Sequence, residues 1–86
     1  MMGGTKTRDG LKLSTLLKAL KQLPGITVRE GTNHPTIAQK MGYPQPCPIA
    51  TSTDARRMVV PWVMRVTNYD NAREVYESLR RGYWNG

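Results

Sequence analysis

Proline and glycine punctuate this chain so densely that no regular element has room for more than about three helical turns. Pro24-Gly25, Gly31, Gly42, Pro44, Pro46, Pro48, Pro61 and Gly82 mark the breaks. Proline removes a backbone donor and fixes φ, and glycine permits reversals closed to other residues. Before the first break, Leu13, Leu16, Leu17, Leu20 and Leu23 recur at helical spacing. Lys12, Lys18, Lys21 and Gln22 take the other face. That pattern predicts an amphipathic helix from Leu13 to Leu23, stopped by Pro24-Gly25. The next stretch, Ile26-Thr27-Val28-Arg29-Glu30, alternates apolar with polar and is rich in β-branched residues, so it reads as a strand closed by Gly31.

The same reasoning continues along the chain. Pro35 to Lys40 is expected to form a second strand and Gly42 to Pro46 a turn or irregular link. Pro46 and Pro48 flank Cys47, so a third strand should be short and lie at a sheet edge, where missing donors are tolerated. Thr51-Ser52-Thr53-Asp54 supplies capping residues. Val59, Val60, Val63, Met64 and Thr67 are spaced for a second helix. Pro61 suits a first turn, which sets the start near Val60 or Pro61 and the end at Asn68. Asn71 is placed to cap a last helix through Arg80, burying Val75, Tyr76 and Leu79, with Gly82 as its stop.

This order predicts an α+β fold: a helix, a three-stranded antiparallel meander, then one or two helices packed on one sheet face, leaving the other face free for a ligand. With 86 residues the chain is expected to hold a single domain over 11–82, between a flexible polar leader at 1–10 and a tail at 83–86. A deep cleft between domains is thereby excluded. A single cysteine excludes an intrachain disulfide and a cysteine-rich zinc site, and points to a reducing, cytoplasmic setting. The longest apolar stretch, Met58 to Met64, is interrupted by Pro61 and is far below the ~20 residues that cross a bilayer. No membrane partner is expected.

Charge is the first functional pointer. Thirteen Lys and Arg against six Asp and Glu give a net charge of +7. Such an excess favours an anionic partner, nucleic acid first and an acidic protein second, since cations that neutralise phosphates release condensed counterions. Lys12, Lys18, Lys21, Arg73, Arg80 and Arg81 fit a solvated helix surface. Arg29 and Lys40 flank the hairpin, and Arg56 and Arg57 precede the second helix; these four are the candidate RNA-binding residues. The sole histidine, His34, is the one side chain whose ordinary pKa lies near neutrality. If the substrate is RNA, a base that deprotonates the ribose 2′-OH is sufficient chemistry, with no metal and no cofactor. The carboxylates are scattered, and there is no phosphate-binding glycine loop or nucleophile elbow. Cys47 and Trp62 read as core residues, and Tyr83 and Trp84 have no assigned role.

The helix Leu13 to Leu23, the strand Ile26-Thr27-Val28-Arg29-Glu30 entering Gly31-Thr32-Asn33-His34, the segment Pro48 to Thr53, and Val60 to Thr67 together resemble the HicA family of bacterial toxins. The likeness spans roughly residues 11 to 82. It implies a double-stranded-RNA-binding-like fold, an mRNA interferase activity, and a HicB-like antitoxin protein as partner. In that family the active histidine directly follows a Gly-Ser/Thr pair. Here Gly31-Thr32 matches the pair, Asn33 follows it, and His34 comes one later. A slip of one residue along a strand turns a side chain to the opposite face. Two alternatives stand: His34 is catalytic, or Asn33 holds the position and the chain is a non-cleaving relative. Beside the endoribonuclease reading stand a non-catalytic RNA- or DNA-binding domain and a structural adaptor for an acidic protein.

Overall fold

The structure, a computed structural model, describes residues 6–29 and 36–84. It is α+β, as the punctuation predicts. Helix α1 (Leu13–Lys21) leads to strand β1 (Ile26–Arg29), β2 (Thr36–Lys40) and β3 (Tyr43–Ile49). A π-helical turn, Ala55–Val59, runs directly into α2 (Val60–Val66), and α3 (Ala72–Arg81) follows. The strands form an antiparallel meander in the order β1-β2-β3. Ile26, Ala38, Cys47 and Ile49 on its inner face share one core with Leu16, Leu20, Val63, Val75 and Leu79 from the three helices. Thr27, Arg29, Gln39 and Pro48 are exposed, and the register Arg29↔Ile37↔Pro48 and Thr27↔Gln39 sets them on the opposite face.

β3 is longer than expected, because it begins at Tyr43 instead of after Pro46. Prolines occupy every second position from Pro44 to Pro48; Pro48 is paired with Ile37, while Pro44 and Pro46 fall between the pairs Lys40↔Tyr43 and Ala38↔Cys47. β3 is an edge strand, where missing donors are tolerated. Between the pairs Ala38↔Cys47 and Lys40↔Tyr43, β3 has more residues than β2, so the ladder bulges. The bulge lets the Gln45 carbonyl accept a hydrogen bond from Trp62 Nε1 at 2.8 Å.

Helical backbone also begins earlier than Val60. Pro61 cannot donate to the carbonyl four residues back, and its ring would crowd that carbonyl. The wider π turn relieves this: Val60 N–H bonds instead to the Ala55 carbonyl. α2 ends at Val66, with Thr67 extended. α3 matches expectation closely. The Asn71 side chain accepts from Glu74 N–H at 3.0 Å, and Gly82 closes the helix at φ 89°, donating to the Ser78 carbonyl. A side chain at Gly82 would also collide with Thr15 of α1, its Cβ coming within 2.9 Å.

The leader expected over 1–10 is, in its described part, a folded strap. Thr7 is buried, and its N–H bonds to the Leu11 carbonyl. Asp9 then caps a helix far from it in sequence, accepting from Ala55 N–H at 2.9 Å and Arg56 N–H at 3.0 Å, while Asp54 accepts from Arg57 N–H. The first three donors of the π turn are thereby satisfied. Burial alone would raise the Asp9 carboxyl, but hydrogen bonds from Ala55, the Thr7 hydroxyl and Arg56 outweigh it and hold the pKa below the usual value. A lowered folded pKa means stabilisation that is complete above the unfolded aspartate pKa of ~3.9 and lost as pH falls through the folded value. Asp9→Ala is expected to destabilise by about 1–2 kcal/mol at pH 7, as loss of a cap does. Melting curves of both proteins should converge toward pH 3; a gap that persists undiminished would argue against the cap.

The tail is anchored too. Trp84 Nε1 donates to the Ala19 carbonyl at 2.8 Å, and its ring stacks on Tyr69 with centroids 4.9 Å apart. Tyr83 is exposed beneath the Arg81 guanidinium.

Candidate nucleic-acid interface

His34 and the turn residues Gly31, Thr32 and Asn33 lie outside the described residues. The strands that lead into and out of that stretch are described. Arg29, the last residue of β1, pairs with Ile37 and is exposed on the face turned away from the helices. Thr36 pairs with Ile49 at this same sheet end, so the 50–53 loop leaves from there as well.

The four cations expected around the hairpin do not form one patch. Lys40 pairs with Ile26 at the far end of β2, four residues from Thr36, which at ~3.4 Å per residue is about 14 Å away. It also has the opposite parity to Ile37, the partner of Arg29, and so sits on the other face of the sheet. Its Nζ lies against Gly25, where a Cβ would meet it at 3.1 Å. Arg56 is drawn toward the helices instead, with its guanidinium 4.7 Å above the Tyr76 ring. Arg57 is exposed beside it. Both line a hollow of about 410 Å³ with Asp9, Asp54 and Tyr76. Two carboxylates there offset two guanidinium groups, so this corner attracts phosphate weakly. The Tyr76 phenol is raised above its ordinary pKa, chiefly by burial, with the Asp9 carboxylate adding and Arg56 opposing.

The uncompensated positive charge sits elsewhere. Lys40 and Arg65 line a hollow of about 660 Å³ with Leu23, Pro24, Val66, Thr67, Asn68 and Tyr69. No carboxylate lines it. Among the described residues neither cation forms an ion pair or a hydrogen bond. Sequence reasoning missed Arg65 because it is embedded in the apolar run of the second helix. The signal was present: it is the single cation between Met58 and Val66, and it is exposed.

Two core assignments hold. Trp62 is buried and bonded to Gln45, and Cys47 is buried, with its thiol pushed up to about 11 by desolvation. A thiol so rarely ionised is no nucleophile at neutral pH. Among the described residues no group of three His, Cys, Asp or Glu is placed to hold a metal ion, and no helix is long and apolar enough to cross a membrane. The chain matches no protein-family model, no curated protein and no solved structure.

Proposed function

We propose that the protein is a metal-independent endoribonuclease of the HicA toxin type, with RNA as substrate and a HicB-like protein as its antitoxin in the cytoplasm. The observation that carries this reading is the exposure of Arg29 on the uncovered face at the end of β1, in a chain whose one histidine, His34, lies in the sequence between β1 and β2. The order of helix, three antiparallel strands and helices supports it, as does the net charge of +7. In the reaction, His34 takes the proton of a ribose 2′-OH as the oxygen attacks the adjacent phosphorus. The P–O5′ bond breaks and the leaving oxygen takes a proton from solvent water, giving a 2′,3′-cyclic phosphate and a 5′-OH end, and the imidazolium returns its proton to the solvent. Arg29 would hold a phosphate oxygen as charge accumulates there.

The test is incubation of the purified protein with a mixed RNA pool, with and without a chelator. Expected are cyclic-phosphate ends formed equally in both arms. Cleavage that requires a divalent ion overturns the mechanism, and RNA retention without cleavage between pH 5 and 9 overturns the activity. A second reading, an RNA- or DNA-binding domain without chemistry, is favoured by the Lys40–Arg65 hollow, which needs no contribution from His34.

A further inference from the structure

We propose that the Lys40–Arg65 hollow is a binding site for a nucleoside phosphate, which on the RNA reading above is one unit of a single-stranded RNA chain. The hollow is built where three chain ends meet: the exit of α1 at Leu23-Pro24, the last residue of β2, and the exit of α2 from Arg65 to Tyr69. Its volume of about 660 Å³ lies within the ~300–1,000 Å³ of small-molecule sites.

Its two kinds of lining match the two halves of a nucleotide. Leu23, Pro24 and Val66 give an apolar surface, and Tyr69 adds an aromatic ring held in place by its stack on Trp84, 4.9 Å away. A base can stack on such a plate whatever its sequence identity. Lys40 and Arg65 supply two cationic heads with no anionic partner among the described residues. A phosphate between them would gain charge-assisted hydrogen bonds. The simpler account is that Arg65 only complements the negative end of α2, being in its last turn. That account leaves Lys40 unexplained. Lys40 is a strand residue that lines the same hollow, and its Nζ lies over Gly25, next in sequence to the lining residue Pro24.

The site is distinct from the sheet end that holds Arg29, being at the other end of β2, where Lys40 pairs with Ile26. An RNA that occupies both therefore extends along the domain for several nucleotides.

The experiment measures binding of the full chain to a fluorescent 2′-O-methyl RNA, which cannot be cleaved through its 2′ oxygen, across a salt series. Each phosphate neutralised on a single strand contributes ~0.7 to the slope of log affinity against log salt, and one phosphate sits between the two cations, so Lys40→Gln/Arg65→Gln should lower the slope by about 0.7. The pair Arg73→Gln/Arg80→Gln removes equal charge from α3 and should change it far less. Equal losses in both pairs would reduce the hollow to general electrostatics and overturn it. If the hollow pair melts below the wild type, exposed Arg65→Gln alone carries the test, with a smaller slope change of the same sign. In a second arm, adenosine monophosphate is titrated while the Val66–Tyr69 amides are followed by NMR. Amide shifts without any RNA retention would keep the nucleoside-phosphate site and remove the RNA reading. RNA retention unaffected by the hollow pair, with no amide shifts, would remove the site and keep that reading.

Discussion

Replacing His34 by alanine is expected to slow RNA cleavage by ~10²- to 10⁴-fold while RNA retention and its salt dependence stay unchanged, the usual cost of losing one acid-base group. The size follows from the absence of a substitute: no other side chain in the sequence has an ordinary pKa near neutrality. Lysines and arginines of ordinary pKa carry their protons at neutral pH and cannot accept another, and an ordinary carboxylate is a much weaker base than imidazole. Asn33→Ala is the companion variant. Slower cleavage in Asn33→Ala with full activity in His34→Ala would transfer the essential position to Asn33 and sink the histidine mechanism. Cleavage lost in His34→Ala together with RNA retention would point to binding, not proton transfer, as the function of the imidazole.

The second large effect concerns stability. Trp62→Ala should destabilise by about 3–5 kcal/mol, the range for removing a buried aromatic side chain. Trp62 is 4% exposed and joins two layers. Its ring packs in the core under α2, and its Nε1–H reaches across to the Gln45 carbonyl on the bulged part of β3. Against a total of ~5–15 kcal/mol for a typical domain, such a loss brings unfolding near working temperature. Trp62→Phe keeps most of the apolar contact and leaves the Gln45 carbonyl without its donor, for a smaller loss of about 1 kcal/mol. Urea unfolding of the three proteins measures both values. A Trp62→Ala protein that melts normally but loses RNA would mean that the ring stacks on bases and that its packing contributes little.

Elements defined by local chemistry were legible in the sequence. The leucine spacing of α1, the Asn71 cap and the Gly82 stop of α3, and the alternation in β1 all depend on neighbours a few residues apart. Two features were not, because distant parts of the chain decide them. Thr7 and Asp9 look like polar leader residues until Asp9 is found against Ala55 and Arg56. The start of α2 at Val60, with Pro61 in its first turn, was legible, but the π turn that runs into it was not. The candidate site suffered most from parity. Arg29 and Lys40 flank the same stretch of sequence, yet the register places them at opposite ends and on opposite faces of the sheet. Arg56 was separated from the sheet by Tyr76, a residue expected only in the core.

The spacing of Pro44, Pro46 and Pro48 determines in which direction this sheet can grow. The outer side of β3 has carbonyl acceptors but no amide donor at any of the three prolines, so an arriving strand would find half of each hydrogen-bond pair missing. Association by strand addition is closed on that side, and a chain of high positive charge keeps a folded sheet from templating copies of itself there. A protein partner that binds by extending the sheet has to approach along β1, next to Arg29 and the entry to the His34 stretch. In such a complex, the partner's first backbone contacts would fall on the strand that carries Arg29.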